Sequence, residues 1–282
     1  MSLVSMKELL KDADKHGYAV GQFNIMTLEF AETIAKVAAE QRSPLIFGAG
    51  EPTIQYIGLK SLVKHVEIIA SKHDIPIALH LDHGSSFEIA VKAMYAGFSS
   101  IMYDGSQLPL NKNIEMTNKI KAVADVLNVS LEGEVGVIGG IEEGVNNSNQ
   151  GLANIDDALL YWNETNVDAL ALAVGTAHGM YTEAPKINLD LIRSASQQIN
   201  GFLVLHGGSG VLHKDIEKAI KAGIRKINVN TENCVAYTNE IRDYLIQHPS
   251  LTDPRAFHIK GREAIEKVVT SKIQLFGSNN RI

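Results

Sequence analysis

Residues Ile77-Ala78-Leu79-His80-Leu81-Asp82-His83-Gly84 form an apolar run of the β type that ends in an aspartate, a histidine and a glycine. Similar runs precede two further histidines. His178 comes a few residues after Ala169–Val174, and His206 comes directly after Phe202–Leu205. Short, nearly continuous apolar runs are typical of strands that are buried on both faces of a parallel sheet. The chain therefore repeats one unit, an apolar strand with a polar end.

Runs of this kind alternate with longer amphipathic segments along the whole chain. The predicted strands are Ala19–Phe23, Leu45–Ala49, Ile77–Leu81, Ser99–Tyr103, Ser130–Val135, Ala169–Val174, Phe202–His206 and Lys226–Asn230. The predicted helices are Thr27–Gln41, Leu59–Lys72, Phe87–Ala96, Asn113–Leu127, Ile155–Thr165, Leu189–Gln198, His213–Ala222, Glu232–His248 and Gly261–Leu275. Eight such units favour a single α/β domain over residues 1–282, a (β/α)8 TIM barrel with extra C-terminal helices, over an open doubly wound sheet.

Composition narrows the class of protein. A hydrophobic content of 45% in 282 residues can bury a large core. The formal charge of -6 argues against a nucleic-acid or anionic-membrane partner. Cys234 is the only cysteine, which excludes an intrachain disulfide and a thiolate zinc cluster. No secretory signal and no long apolar span are visible, so we expect a cytoplasmic protein with no membrane partner.

One connecting segment shows neither the strand pattern nor the helix pattern. Gly136–Gly151 is rich in glycine and asparagine and links the fifth predicted strand to the next helix. A connection of this length without regular structure is usually a functional lid or a disordered segment. Its acidic pair Glu142-Glu143 is the natural candidate for a mobile base.

Polar residues collect at the ends of the predicted strands, where a barrel forms its active site. At or just after six strand ends stand Asp82, His83, Asp104, Glu132, Glu134, His178, His206, Asn228 and Asn230. Three histidines at such places supply the three protein ligands of an open catalytic zinc site. We therefore predict that His83, His178 and His206 bind zinc, the alternative being three separate hydrogen-bonded histidines. His80, two residues before Asp82, is expected to support the ligands or to pack inside the barrel.

The loops after strands seven and eight suggest phosphate recognition. They read Gly207-Gly208-Ser209-Gly210 and Asn228-Val229-Asn230-Thr231. Glycines let backbone N–H groups approach an anion, and hydroxyl groups add donors. A zinc ion beside a bound phosphate ester suggests that the metal acts as a Lewis acid and polarises a neighbouring carbonyl group of the substrate. Reversible carbon–carbon bond formation then needs an acid/base for the aldehyde oxygen, for which Asp82 is well placed. It also needs a second base, for which the pair Glu142-Glu143 is the candidate.

With these motifs in view, the chain resembles the class II, metal-dependent ketose-bisphosphate aldolases over essentially its whole length. The matching segments are Tyr18–Asn24, His80–Ser86, Gly97–Asp104, Glu132–Gly136, Gly139–Glu142, Gly175–Gly179 and Leu205–Gly210. The ending, from Asp253-Pro254-Arg255 through Phe276-Gly277-Ser278, is most similar to fructose-1,6-bisphosphate aldolases of the Gram-positive type.

The resemblance implies a role for each matching position. Asp82 would donate the proton to the C4 oxygen, Glu142 would move the proton on the enediolate carbon, and His83, His178 and His206 would bind the catalytic Zn²⁺. Asp104 and Glu134 would serve a second or alternative divalent metal. The substrate-binding positions would be Asn24, Gly179, Gly207, Gly208, Ser209, Asn228, Val229, Asn230 and Thr231. The resemblance also implies a bound monovalent cation (Na⁺ or K⁺) and assembly into a homodimer or homotetramer, as is usual in this family.

Three positions depart from the family pattern. Gly50 stands where the fructose-bisphosphate type usually has a phosphate-binding serine. A glycine at this position is nearer the pattern of the tagatose type. Gly133 lies between Glu132 and Glu134, where it is expected only to loosen the strand. The neighbours of Glu142 also differ, so Glu142 is ranked above Glu143 as the base.

Other activities remain open from the sequence. Sibling aldolases act by the same chemistry on tagatose-1,6-bisphosphate or on a phosphorylated deoxy-keto-gluconate. A Schiff-base aldolase needs a lysine inside the barrel, whereas predicted strands two to seven contain none and Lys226 opens the eighth at the wrong end. A non-catalytic phosphosugar-binding barrel would bind phosphate without metal-dependent cleavage.

Overall fold

The protein is described by a computed structural model covering residues 3–142, 145–147, 151–181 and 183–282, with backbone only for 141, 142 and 145–147. The strands are β1 (Val20–Asn24), β2 (Leu45–Ala49), β3 (Ile77–Gly84), β4 (Ser100–Tyr103), β5 (Ser130–Val135), β6 (Gly139–Glu142), β7 (Val145–Asn147), β8 (Ala169–Leu172), β9 (Ala177–His178), β10 (Phe202–Leu205) and β11 (Ile224–Val229). The helices are α1 (Met6–His16), α2 (Leu28–Glu40), α3 (Glu51–Ile57), α4 (Leu59–Lys72), α5 (Phe87–Ala96), α6 (Leu110–Leu127), α7 (Ile155–Thr165), α8 (Leu189–Gln198), α9 (His213–Ala222), α10 (Thr231–Gln247) and α11 (Pro254–Phe276).

Eight parallel strands close into a barrel in the order β1-β2-β3-β4-β5-β8-β10-β11, and β11 pairs with β1. Helices separate the strands, and α10 and α11 follow the last one. The predicted TIM barrel with extra C-terminal helices is confirmed. All parallel strands point their carboxyl ends to the same mouth, so residues that end different strands are brought together there. Within the described part of the chain, no helix combines the length and hydropathy needed to cross a membrane.

Two helices were not predicted. One of them, α1, closes the amino-terminal end of the barrel. Its residues Met6, Leu9, Leu10 and Ala13 are buried and form one apolar cluster with inward-facing strand residues such as Val204. The spacing of these four residues places them on one face of a helix. The other unpredicted helix, α3, is a short element directly after β2.

The connection from Gly136 to Gly151 contains regular structure, so the expectation of a structureless loop was wrong for its described part. Strands β6 and β7 pair antiparallel, and Val137 forms an isolated bridge with Gly151. Strand β6 also pairs in parallel with β9, where Gly140 lies opposite His178. The hairpin is thereby joined to the segment that carries a predicted metal ligand.

The barrel interior contains a buried ion pair that the sequence did not reveal. Because β11 begins at Ile224, Lys226 is the third residue of the strand rather than its first, and the predicted start was wrong. Lys226 is fully buried, with its Nζ 2.8 Å from Oε2 of Glu132. The amine is therefore engaged by a carboxylate, an arrangement that disfavours a Schiff-base role for this lysine.

Gly133 does more than loosen its strand. A Cβ at this position would lie 2.1 Å from Oη of Tyr161, a fully buried residue of α7 whose hydroxyl bonds to that of Thr117 at 2.8 Å. We expect Gly133→Ala to lower the free energy of unfolding by about 1–3 kcal/mol, because the tyrosine must move within a packed core. Urea unfolding measures this change. Gly151→Ala is the control, since among the described residues its Cβ would meet nothing closer than 4.0 Å. Equal losses in both variants would contradict the steric explanation.

Candidate active site

A break in the regular pairing of β3 places two consecutive residues at the barrel mouth. Along a regular strand, Asp82 and His83 would point to opposite faces. The register of β3 with β4 shifts between Leu81 and Gly84, and His83 has a left-handed backbone with φ of 50°. A bulge of this kind changes the direction of a side chain. Both functional groups can therefore face the same centre.

The three predicted zinc ligands meet at this mouth. The ring centroids of His83 and His206 lie 4.7 Å apart, those of His83 and His178 4.9 Å, and those of His178 and His206 5.8 Å. One nitrogen from each ring can be chosen so that all three lie within 4.8 Å of one another. Zinc–nitrogen bonds of about 2.0–2.1 Å in a tetrahedron place ligand nitrogens roughly 3.4 Å apart, so small ring movements suffice to bind the metal.

Carboxylates behind two of the rings fix which nitrogen faces the centre. His83 donates from Nδ1 to Oδ2 of Asp104 at 2.8 Å, and His206 donates from Nε2 to Oε1 of Glu132 at 2.9 Å. The other two nitrogens, Nε2 of His83 and Nδ1 of His206, face each other at 3.0 Å. Carboxylate partners on the outer nitrogens are the usual supports of metal-binding histidines. The residues therefore fit a zinc site.

The local field also favours a positive charge at this centre. Burial opposes protonation of His83, but the hydrogen bond to Asp104 and the nearby Asp82 carboxylate outweigh it and raise the pKa of His83 to about 10. Burial lowers the pKa of His206 and of His178, which favours the neutral imidazole that a metal requires.

A second set of possible ligands shares His83. Donor atoms of His83, Asp104 and Glu134 also lie within 4.8 Å of one another. Glu134 is fully buried. Burial, together with the Asp104 carboxylate, raises the pKa of Glu134 well above its usual range. A cation at this place would compensate the two carboxylates, which fits the expected second divalent metal.

Asp82 is held by two asparagine side chains. Asn24 donates from Nδ2 to Oδ2 of Asp82 at 2.8 Å, and Asn228 donates from Nδ2 to Oδ1 at 3.2 Å. Burial disfavours the charged carboxylate, but the positive charges of His83 and Lys226 outweigh it and hold the pKa of Asp82 below its usual value. Both predicted binding residues, Asn24 and Asn228, therefore contact the predicted acid directly.

The predicted phosphate loops lie side by side. The Gly208 N–H donates to the carbonyl of Asn228 at 3.1 Å, and Ser209 Oγ accepts from the N–H of Glu232 at 3.2 Å. Gly207 passes close to Ala177, since a Cβ on Gly207 would lie 2.3 Å from the carbonyl oxygen of that residue. The two loops are thus tied to each other and to the segment before Gly179.

The remaining predicted substrate positions differ in what they can offer. Asn230 is buried, and its Oδ1 accepts from the thiol of Cys234 at 3.2 Å. Val229 is fully buried, so only its backbone can face a ligand. Thr231 begins α10, and Gly179 has a positive φ of 95°.

Two supporting residues escaped the sequence analysis. Tyr181 Oη accepts from the Ala177 N–H at 2.7 Å and lies 2.8 Å from the Gly207 carbonyl, so one hydroxyl joins both segments. Lys272 is buried in α11, with its Nζ 2.6 Å from Oε2 of Glu232. A tyrosine shortly after a histidine, and a lysine on a distant helix, carry no pattern in the sequence that marks these roles.

The strand β6, which carries the predicted base at its end, pairs with the segment of His178. At Gly140, where φ is 99°, a Cβ would lie 2.1 Å from the carbonyl oxygen of His178, so only glycine allows this approach. Glu142 follows two residues later at the end of β6. The side chain of Glu142 and the whole of Glu143 lie outside the described residues, so the choice of base remains a prediction.

His80 is packed inside the barrel beneath the site. It is fully buried, and its Nδ1 lies 2.7 Å from Oγ of Ser100. Burial is the main cause that lowers the pKa of His80 to about 3. The residue is therefore a neutral part of the interior rather than a ligand.

Comparisons with known proteins agree with this geometry. The family profile described as fructose-bisphosphate aldolase class-II matches residues 4–281. The chain is 43% identical to a fructose-bisphosphate aldolase of Staphylococcus aureus over 286 residues, covering 100% of this chain and 99% of that protein. It is 41% identical to a 6-phospho-5-dehydro-2-deoxy-D-gluconate aldolase of Bacillus licheniformis, covering 100% and 97%.

Solved structures give the same result. The YdjI aldolase of Escherichia coli superposes with a TM-score of 0.88 at 29% identity, over 99% of each chain. The chain belongs to the class II fructose-bisphosphate aldolase family and is a metal-dependent aldehyde-lyase.

Proposed function

We propose that the protein cleaves fructose-1,6-bisphosphate reversibly to dihydroxyacetone phosphate and glyceraldehyde-3-phosphate, with Zn²⁺ on His83, His178 and His206. The observation that carries the proposal is the bulge that brings Asp82 and His83 to one centre, with the other two histidines around it. A bound zinc ion would supply a Lewis acid for the carbonyl oxygen of the substrate.

The chain's own residues supply binding and proton transfer. The ionised carboxylate of Asp82 accepts the proton of the C4 hydroxyl in cleavage and returns it in condensation. The loops at Gly207–Ser209 and Asn228–Thr231, with Gly179, hold the phosphate of the dihydroxyacetone half through backbone N–H and hydroxyl groups. Glu142 exchanges the proton on the adjacent carbon.

Further parts of the proposal concern the surroundings. Asp104 and Glu134 would bind a second or alternative divalent metal with His83, and a Na⁺ or K⁺ ion would lie near the phosphate loops. We also propose a cytoplasmic homodimer or homotetramer. The sugar bisphosphate is the only partner proposed for the site, with no nucleic acid and no membrane.

A sibling substrate is the second candidate. Gly50 provides no hydroxyl group at the start of α3, where a fructose-bisphosphate enzyme of this family usually has a phosphate-binding serine. This favours tagatose-1,6-bisphosphate. A phosphorylated deoxy-keto-gluconate is the other sibling substrate, since one of the relatives is named as an aldolase of that type. The chemistry at Asp82 and the metal would be unchanged.

The first test is cleavage by metal-stripped protein before and after zinc is restored. We expect release of triose phosphate from fructose-1,6-bisphosphate only after zinc is added, because the three imidazoles alone provide no Lewis acid. The same assay with the two sibling substrates ranks specificity. Zinc binding without fructose-1,6-bisphosphate cleavage, together with turnover of a sibling, would move the assignment to that sibling. Activity in the stripped protein would contradict the metal mechanism.

A further inference from the structure

A second buried amide, that of Gln22, lies behind the asparagine that contacts Asp82. Gln22 and Asn24 are two residues apart on β1 and therefore point to the same side of the strand. Both are buried, and Gln22 donates from Nε2 to Oδ1 of Asn24 at 3.2 Å. Asn24 in turn donates to Asp82. The three side chains form one hydrogen-bonded chain that runs from the interior to the reacting group.

The direction of this chain fixes the orientation of the Asn24 amide. An amide has a donor end and an acceptor end that can exchange by a flip. Because Oδ1 of Asn24 accepts from Gln22, its Nδ2 must face Asp82, where a carboxylate oxygen can accept. The flipped amide would bring two oxygens together at Asp82 and two NH₂ groups together at Gln22. With Gln22 in the orientation seen here, its hydrogen bond opposes the flipped orientation of Asn24, which would repel the carboxylate.

A glycine on the neighbouring strand provides the space for this pair. Gly48 lies opposite Asn24 in the pairing of β1 with β2. A Cβ on Gly48 would lie 2.5 Å from Nε2 of Gln22 and 2.7 Å from Oδ1 of Asn24, the two atoms that form the hydrogen bond. The φ of Gly48 is not in the left-handed region, so the backbone would accept alanine. An added methyl group would thus disturb this amide contact.

We propose that Gln22 is a positioning residue for the aldol step, acting through Asn24 to hold the Asp82 carboxylate in its productive orientation, and that Gly48 preserves the space this requires. The inference rests on the proposed role of Asp82. It assigns no new group to the substrate, because Gln22 lies one layer below the mouth. Loss of the Gln22 hydrogen bond lets the Asn24 amide rotate and frees one of the two oxygens of Asp82.

The test uses Gln22→Met, which keeps the size of the side chain and removes its donor. Cleavage of fructose-1,6-bisphosphate is compared with the exchange of a hydroxymethyl proton of dihydroxyacetone phosphate for solvent deuterium. Exchange breaks no bond at C4 and does not need Asp82. We expect kcat for cleavage to fall about 10–100-fold, as small misplacements of catalytic groups do, while exchange and zinc affinity stay within about twofold.

Two further variants sharpen the test. Gln22→Glu places an acceptor against Asn24 and should favour the flipped amide, so its loss of cleavage should exceed that of Gln22→Met. Gly48→Ala should reproduce the loss without changing either amide. The matched control is Gln274→Met, which removes a surface amide–amide bond from Gln274 to Gln41 at 3.4 Å and should leave both rates unchanged.

The outcomes separate this inference from the proposed function. Wild-type cleavage in Gln22→Met, or a parallel loss of cleavage, exchange and zinc affinity, would overturn the positioning role. Asp82→Ala is measured in the same two assays as the reference. If Asp82→Ala keeps wild-type cleavage, the proposed function of Asp82 fails and the inference fails with it; if only the Gln22 and Gly48 variants behave like wild type, the inference alone fails.

Discussion

His206→Ala is expected to abolish measurable cleavage and to weaken zinc binding by at least about 100-fold. His206 is fully buried and is one of three ligands, and its ring is fixed by Glu132. Loss of a ligand should cost more than the 10–100-fold typical of losing a supporting residue. Loss of a Lewis acid that contributes several kcal/mol corresponds to about 10³-fold or more in rate. Zinc affinity by competition with a chelator and the rate of triose phosphate release measure the two effects.

A control for His206→Ala is His213→Ala, which removes an exposed imidazole at the start of α9. This change should alter neither zinc affinity nor cleavage. Far-ultraviolet circular dichroism of both variants checks that the barrel is intact, because Glu132 keeps its ion pair with Lys226 when His206 is lost. Wild-type zinc affinity in folded His206→Ala would remove this residue from the ligand set.

The strand ends could be predicted from the sequence because two independent signals coincide there. Apolar runs such as Ile77–Leu81 specify buried parallel strands, and a polar residue directly after such a run can lie only at a mouth of the barrel. His83 and His206 could therefore be predicted as ligands without knowledge of distances. The same reasoning located Asp104 and Glu134 near them. The alternation of strands and helices predicted the barrel, and the residue types at the strand ends predicted the metal ligands and the acid/base.

Other parts of the site depend on contacts between distant segments. The left-handed backbone of His83 accompanies the register shift between β3 and β4. No local pattern in the sequence predicts this conformation. The need for glycine at position 133 arises from Tyr161 on α7, and one partner of Glu132 is Lys226, far along the chain. Such contacts follow from tertiary packing, which local propensity does not determine.

Asp82→Ala is expected to lower kcat for cleavage by about 10²–10⁴-fold, the usual contribution of a positioned acid/base. Zinc affinity should remain close to that of the wild type, because His83, His178 and His206 and their carboxylate partners are untouched. Exchange of the dihydroxyacetone phosphate proton should also persist, since that step is assigned to Glu142. Cleavage, exchange and zinc affinity measured on one preparation test all three expectations.

The contrast between Asp82→Ala and His206→Ala assigns a step to each residue. Removal of the metal ligand should stop cleavage and exchange together, because both need a polarised carbonyl, whereas removal of Asp82 should stop cleavage alone. Asp82→Asn is the closer control, because the amide keeps the size of the side chain but cannot take up the C4 proton. If Asp82→Asn cleaved at the wild-type rate, Asp82 would only orient the substrate. Equal loss of exchange in Asp82→Ala would instead show that the aspartate supports the metal centre, because proton transfer at C4 plays no part in exchange.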